Sequence, residues 1–185
     1  MNFFEKTIAY LISIPARTKG MKLGKGSFIG PRYDLKPILR GVVLGDKVLV
    51  GREAWFDIST YRKGAQIIIG NGTNIGRRAM ISAARKIVIG EKCLISHDVS
   101  IIDHDHDVFD ADVSPMDAGI TEPKEIHIDD HCFIGARSFI LKGVTLGKHC
   151  VVGAGSIVTK SFPAYSVIAG NPAKFIRSLK NTHGE

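Results

Sequence analysis

The sequence between residues 128 and 160 repeats with a period of six. An aliphatic side chain opens each hexad, at Ile128, Ile134, Ile140, Leu146, Val152 and Val158. A small side chain takes the fifth position, at Cys132, Ser138, Val144, Cys150 and Ser156. A helix repeats every 3.6 residues and a strand every 2, so this period indicates a stacked structural repeat. Three hexads, each a strand and a corner, would close one triangular coil of about 18 residues.

Inside such a coil, the aliphatic and small side chains point inward and stack on their counterparts above and below. Glycine follows the aliphatic residue at Gly135, Gly147 and Gly153. We expect these glycines to be needed for the positive φ of a tight corner.

The repeat extends toward the amino terminus, irregularly from Leu23 and more regularly from Leu44, with further coils starting at Ile69 and Ile89. It breaks after Ile101 and resumes at Ile128. The intervening segment is polar, acidic and rich in turn residues. A long loop that interrupts a regular scaffold is usually functional or disordered, and we favour function because its first residues are histidines.

Both ends of the chain depart from the repeat. Residues 2–14 predict an amphipathic helix with Phe4, Ile8, Leu11 and Ile12 on one face, ended by Pro15. This face would pack on the coil or on a neighbouring subunit; the alternative is a weak membrane contact helped by Arg17, Lys19 and Lys22. Pro172 would open a final helix. The predicted organisation is an amino-terminal helix (1–20), the repeat domain (21–162, with an inserted loop at 107–125) and a tail with a helix (163–185).

The composition limits the partners and the compartment. The 185 residues carry a formal net charge of +7, which favours anionic partners. The sequence lacks a basic run interleaved with aromatic residues, which would indicate nucleic-acid binding. A phosphate-bearing cofactor or a membrane surface is compatible with the positive charge. Cys93, Cys132 and Cys150 all fall on the small inward position, and their odd number and lack of a CxxC pair argue against disulfides or zinc. With no secretory signal in view, we expect a cytoplasmic protein, at most at the inner face of the membrane.

The histidines of the inserted segment are the first candidates for chemistry. Residues 103–107 read Asp-His-Asp-His-Asp where the last strand of a coil runs into the loop. Histidine titrates near neutrality and suits a general base, and neighbouring carboxylates can orient its ring. A polar surface turn and an acidic metal site are the alternatives.

The carboxy-terminal motifs point to a known family. The strings VGAGSIVTK (152–160, with Val151 before it) and AGNPAK (169–174) follow the hexads in order. Together they resemble the hexapeptide-repeat acyltransferases, in particular the sugar and polysaccharide O-acetyltransferase branch that includes maltose and galactoside acetyltransferases. The resemblance covers roughly residues 21–180. It implies an all-β fold, a left-handed parallel β-helix, and assembly as a homotrimer with active sites between subunits.

The resemblance also implies site residues. Counting 17 positions from Ile89, as in the family, gives His106 as the catalytic base; His104 is a close alternative because a one-residue bulge would shift the count. Acetyl-CoA would lie in the groove between coils, with its pantetheine arm against small residues and its phosphates near cations. The implied coenzyme-binding residues are Ala136, Gly153, Ala154, Thr159, Lys160, Lys174 and Arg177.

The reaction that the resemblance implies is direct acetyl transfer from acetyl-CoA to a sugar hydroxyl of a surface polysaccharide or its precursor. Transfer to the nitrogen of an amino sugar or to another small molecule is the main alternative. A non-catalytic scaffold is another, although a scaffold would not need the histidine pair beside a coenzyme site. A γ-carbonic-anhydrase-like protein would need zinc-binding histidines where this sequence has Ala136 and Leu141, so we expect no metal site.

Overall fold

The computed structural model describes residues 3–30, 34–35, 39–61 and 63–180. Short parallel strands wind through six coils, and each coil contributes one strand to each of three sheets, called A, B and C here in chain order. The strands of the six coils are β1 (Lys22–Leu23), β2 (Phe28–Ile29), β3 (Asp34–Leu35); β4 (Val42–Leu44), β5 (Leu49–Val50), β6 (Trp55–Ile58); β7 (Gln66–Ile69), β8 (Asn74–Ile75), β9 (Met80–Ala83); β10 (Lys86–Ile89), β11 (Leu94–Ile95), β12 (Ser100–Ile102); β13 (Ile126–Ile128), β14 (Phe133–Ile134), β15 (Phe139–Ile140); and β16 (Thr145–Leu146), β17 (Val151–Val152), β18 (Ile157–Val158).

The predicted columns form the core. Ile128 pairs in register with Leu146, eighteen positions later, as the coil length requires. The aliphatic positions of the last six hexads are all buried, and so are the small fifth positions, including the three cysteines. The thiols donate to main-chain carbonyls of the next coil, as Cys132 does to Gly147 at 3.3 Å between Sγ and O.

The corner glycines serve a purpose other than the predicted one. Gly135 and Gly147 do not adopt a positive φ; the left-handed conformation falls two residues later, at residues such as Arg137 and His149. A Cβ on Gly135 would instead lie 2.5 Å from the backbone nitrogen of Ala154 in the next coil. The glycine is therefore required by the close approach of stacked corners.

The amino-terminal helix forms but runs further than predicted. Helix α1 spans Phe3–Thr18 with Pro15 inside it. Proline has no N–H to donate, yet the last turn still closes because the Lys19 N–H donates to the Pro15 carbonyl at 3.2 Å. Ile8 and Leu11 are 41% and 56% exposed, so they do not pack on the coils of their own chain, and packing on a neighbouring subunit stays a prediction. The side chain of Phe4, which belonged to the predicted face, lies outside the described residues.

The predicted carboxy-terminal helix is wrong. Strand β19 (Ser166–Gly170) adds to β17 in sheet B, and β20 (Ala173–Ser178) returns antiparallel to it. Pro172 therefore stands in a hairpin turn rather than at a helix start. Pairing with β19 gives the segment a sheet edge to join, and Ala173 is buried by it, whereas an isolated short helix has no such partner. Residues 181–185 lie outside the described part.

The loop between β12 and β13 contains one helical turn, α2 (Pro115–Ala118), capped by the Ser114 side chain. Within the described ranges, no helix is long and apolar enough to cross a membrane.

Candidate active site

The corner at which the chain leaves sheet C and enters sheet A, called the CA corner here, aligns residues from three coils. Ile101, Ile140 and Val158 are in register, so Asp103, Lys142 and Lys160, each two residues further on, follow one another up this corner. Neighbouring strands lie about 4.8 Å apart, which places the backbones of Asp103 and Lys160 roughly 10 Å apart. The histidine segment and the Thr159–Lys160 pair therefore share one edge of the protein.

Asp103 is the most completely buried charged side chain among the described residues, with no exposed surface. Its Oδ1 accepts the N–H of Ala84 at 2.7 Å, and its Oδ2 accepts those of Arg85 and Lys86, both at 2.8 Å. These three donors belong to the turn before β10 and to the first residue of β10, at the same corner one coil below. They compensate for the burial of the carboxylate and fix its orientation.

His104 is held by this carboxylate. Its Nδ1 lies 2.9 Å from Oδ1 of Asp103, and its side chain is only 12% exposed. A carboxylate can only accept, so Nδ1 carries the hydrogen, and in the neutral ring Nε2 then keeps its lone pair. An imidazole with this tautomer fixed and Nε2 unprotonated is prepared to accept a proton.

His106 is placed differently. It is exposed and lies at the start of the loop, where its backbone bridges to Ile120. The loop folds back on its own beginning, since the Thr121 N–H donates to the Asp105 carbonyl at 2.9 Å. Lys142 ties the two together, with Nζ at 2.7 Å from both Asp105 Oδ2 and Thr121 Oγ1. The loop thus folds over the end of the CA corner, with His106 on its outer surface.

The small residues predicted for coenzyme binding lie on the next corner, between sheets B and C, called the BC corner here. The Gly155 N–H donates to the Ala136 carbonyl at 2.8 Å, so Ala136 and Ala154 stack directly. A Cβ on Gly155 would meet no atom within 4 Å, which leaves the top of this corner open. Gly153 lies against Ala169, and Lys174 pairs with Ala169 across the final hairpin.

Lys160, Lys174 and Arg177 all have exposed side chains. Lys160 Nζ lies 5.7 Å from the centre of the Phe162 ring. One chain therefore brings His104 and Lys160 to the CA corner and Ala136, Gly153 and Ala154 to the BC corner, separated by the width of sheet C.

A polar pair on sheet C escaped the sequence analysis. Ser82 Oγ donates to Asp57 Oδ2 at 2.9 Å, and Ser82 is in register with Ile102, two residues before His104. The signal was present, because Asp57 and Ser82 occupy the same position after the inward residues Phe56 and Ile81.

Two other histidines have local carboxylate partners. His97 Nδ1 lies 2.7 Å from Asp98, and Arg78 donates to both oxygens of Asp98 at 2.6 and 2.8 Å. Arg78 and His97 hold the pKa of Asp98 well below its ordinary value. His127 and Arg85 lower the pKa of Glu125 in the same way. No group of three or more potential metal ligands occurs within the described ranges.

Comparison with known proteins agrees with this architecture. The sequence family described as the hexapeptide repeat of succinyl-transferase matches residues 125–160. Residues 125–160 thus carry a hexapeptide repeat, and the structure continues the same coil from β1 to β18. The predicted left-handed parallel β-helix is confirmed, since AntD, an N-acyltransferase of Bacillus cereus solved with dTDP and coenzyme A, superposes with a TM-score of 0.72 over 90% of this chain and 89% of its own, at 18% identity.

Two further relatives bear on chemistry. Galactoside acetyltransferase, solved with coenzyme A, is 25% identical over 86% of this chain and 70% of its own, with a TM-score of 0.58. A 2,3,4,5-tetrahydropyridine-2,6-dicarboxylate N-acetyltransferase of Staphylococcus aureus is 41% identical over 63 residues, 32% of this chain. The chain covers only 26% of the length of that relative.

Proposed function

We propose that this hexapeptide-repeat protein is an acetyl-CoA-dependent O-acetyltransferase that acts on a sugar hydroxyl, with His104 as general base. One observation carries the proposal above all: a nearly buried imidazole, held in one tautomer by a fully buried carboxylate, lies on the corner that also carries Lys160. The likeness to galactoside acetyltransferase, itself solved with coenzyme A, supports the acetyl donor and the sugar acceptor.

The chemistry follows from the His104 geometry. Acetyl-CoA, when bound, supplies an acetyl thioester. His104 Nε2 takes the proton of the acceptor hydroxyl as its oxygen attacks the thioester carbonyl, and Asp103 stabilises the resulting imidazolium. The C–O bond forms as the C–S bond breaks, and His104 returns the proton to the departing thiolate. The buried thiols of Cys93, Cys132 and Cys150 take no part.

The coenzyme would be held by the residues of both corners. Ala136, Gly153 and Ala154 present little side chain, so a pantetheine arm could approach their backbone closely. Lys160, Lys174 and Arg177 would meet the phosphates as cations. Because the two corners are separated within one chain, we propose that the complete site forms between subunits of a homotrimer.

The proposed acceptor is a sugar of a surface polysaccharide or its precursor, modified in the cytoplasm. His106, the residue favoured by counting along the sequence, remains the rival base. In the proposal it is instead a loop residue beside the acceptor, because it is exposed and lacks the buried carboxylate that His104 has.

The test is acetyl transfer from acetyl-CoA to a panel of sugars and glycans. His104→Ala should lower kcat by about 10²-fold or more while the Kd for coenzyme A stays unchanged. His106→Ala should keep most of the turnover, and Lys160→Ala should chiefly weaken coenzyme binding. His127→Ala, which removes an outward histidine paired with Glu125, is the matched control. Loss of turnover in His106→Ala alone would transfer the role of base to His106.

N-acetylation is the second candidate, and the identity with the Staphylococcus aureus N-acetyltransferase favours it. The two candidates differ in their acceptor rather than in the residues that bind the coenzyme. Parallel assays with amino sugars and with sugars that carry only hydroxyls distinguish them. Transfer confined to amines would replace the O-acetyltransferase proposal.

A further inference from the structure

Helix α1 presents four large apolar side chains to solvent. Ile8, Tyr10, Leu11 and Ile14 are 41%, 54%, 56% and 39% exposed. The side that faces the coils carries Ser13 and Ala16, which are 1% and 0% exposed. Helices at the surface of globular proteins normally show the opposite arrangement, with the apolar stripe buried and the polar residues outside.

This orientation is fixed by the packing of the small residues. The Ser13 hydroxyl accepts the N–H of Ile29 in β2 at 3.2 Å, and the Ala16 carbonyl accepts the N–H of Met21 at 3.1 Å. A large aliphatic residue in either place would push the helix away from the first coil. The outward apolar face is therefore a consequence of how α1 docks, and turning the helix would break the contact between Ser13 and Ile29.

The sequence segment that carries this face is rich in basic residues. Residues 6–33 contain six basic residues and no acidic one. Among them Arg17, Lys22 and Lys25 have exposed side chains. Arg17 and Lys25 also line a groove of about 540 Å³ between α1 and the first coil, whose other walls include Tyr10, Leu23 and Phe28. The groove thus combines aromatic and aliphatic walls with two cations.

We propose that α1 and this groove form a docking surface for a membrane that contains anionic phospholipids. The helix would lie in the plane of the interface, with Ile8, Leu11 and Ile14 among the acyl chains and Tyr10 at headgroup level. Arg17 and Lys25 would meet a lipid phosphate at the mouth of the groove. The Asp46 carboxylate accepts the Lys25 backbone N–H at 2.7 Å, but the exposed side chains of Arg17, Lys22 and Lys25 leave the area mainly basic. A lipid surface matches both the apolar face and these cations, whereas a second copy of this face would bring the cations together. This inference stands apart from the transferase chemistry.

The test is cosedimentation of the full chain with vesicles of phosphatidylcholine, alone or with phosphatidylglycerol. We expect binding to the mixed vesicles that weakens as salt is raised. Leu11→Ser/Ile14→Ser should reduce binding to background. Each of Arg17→Ala and Lys25→Ala should weaken it about 5-fold, from about 1 kcal/mol per basic residue near an anionic surface.

Matched controls distinguish binding through this surface from non-specific hydrophobic or electrostatic binding to vesicles. Phe109→Ser/Met116→Ser removes two side chains of the inserted loop that are 85% and 86% exposed, and Lys63→Ala removes an exposed cation elsewhere. These variants should bind vesicles like the unmodified chain. Circular dichroism and thermal melting confirm that all variants fold.

Three outcomes would overturn the proposal. One is the absence of binding to the mixed vesicles, and another is equal loss in the loop controls. The third is that Leu11→Ser/Ile14→Ser leaves vesicle binding intact but lowers the molar mass measured by light scattering. That result would assign the α1 face to a second copy of the chain. Coenzyme A binding, measured in parallel, is expected to be unchanged throughout, so failure here and failure of the proposed enzyme are distinguishable.

Discussion

At the residue scale, the buried Asp103 carboxylate decides which nitrogen of His104 carries the proton. Asp103→Asn replaces one acceptor oxygen with an NH₂ group, which must then face either backbone N–H donors or His104 Nδ1. We expect a loss of about 1–3 kcal/mol in the free energy of unfolding from the unsatisfied donors. If the amide turns its NH₂ to His104, the hydrogen moves to Nε2 and kcat falls by about 10²-fold or more.

The measurement combines kinetics with ¹⁵N NMR of the His104 ring. The NMR signals report the tautomer, which would not change if Asp103 had only a structural role. In Asp103→Asn, the His104 signals should change from the Nδ1–H to the Nε2–H tautomer, while KM for acetyl-CoA stays the same. Asp105→Asn, on an exposed carboxylate that pairs with Lys142, is the control and should keep the original tautomer. An unchanged kcat in Asp103→Asn would contradict the positioning role.

Asp98 gives a pH-dependent prediction. Arg78 and His97 depress its pKa in the folded protein, whereas the unfolded chain keeps a value near 3.9. The unfolded state then binds the proton more readily, so this site stabilises the fold above about pH 4 and loses its contribution as the pH falls further. The midpoint of urea unfolding of Asp98→Asn should lie below that of the unmodified chain at pH 6, and the gap should narrow toward pH 2. A gap independent of pH would contradict this origin.

The site was only partly visible in the sequence. The sequence from Asp103 to Asp107 predicted a histidine oriented by a carboxylate. It did not indicate which of the two histidines and three aspartates form that pair. The choice depends on which carboxylate is buried, and Asp103 is buried because residues 84–86 of the preceding coil offer it three N–H groups. That contact spans about 18 positions and leaves no local trace in the sequence.

At the element scale, the two ends were harder to predict than the coils. The apolar spacing of residues 8–14 correctly indicated a helix but not which face would point inward. The small side chains of Ser13 and Ala16 face the first coil because they allow the helix to approach it closely. The AGNPAK segment reads equally well as a helix start and as a turn. The free edge of β17 decided between them by offering a partner for β19 and, through it, β20.

The close stacking of the corners predicts that any side chain added at Gly135 destabilises the fold. Its Cβ would lie 2.5 Å from the Ala154 nitrogen and 2.7 Å from the Val152 carbonyl, both of them backbone atoms of the next coil that cannot swing aside. Gly135→Ala should therefore lower the free energy of unfolding by about 1–3 kcal/mol, the usual range for overpacking.

The control is Gly155→Ala, where the added Cβ meets open space and only the φ of 68° opposes it. Arg137, which holds a φ of 59° at the equivalent corner one coil below, shows that a side chain is tolerated in this conformation. Urea unfolding of both variants should show the larger loss at Gly135. Equal losses would mean that backbone conformation, not the spacing of the coils, sets the requirement for glycine.

At the scale of the whole molecule, the fold was predictable because each coil contacts only its neighbours. The period of six in the sequence therefore predicts directly which residues stack on one another in three dimensions. The same property leaves assembly unspecified, since the hexad pattern describes the inward positions and says little about the outward ones. The outward side chains of sheet B are the informative ones: Leu94 and Phe133 are neighbours, and Leu49 aligns with them beyond Asn74, at exposures of 47%, 39% and 44%.

This apolar row predicts the contact between subunits of the proposed homotrimer. Light scattering should give the unmodified chain three times its 20.1 kDa mass, and Leu94→Glu/Phe133→Glu should give single chains, because facing carboxylates would be buried unpaired. Phe175→Glu, at a residue 54% exposed on the final hairpin, should leave the trimer intact. Dissociation by Phe139→Glu instead would move the contact to sheet C. If the CA and BC corners form the site only across subunits, the dissociated variant must lose acetyl transfer while it keeps its fold. A fully active single chain would instead place the whole site within one chain.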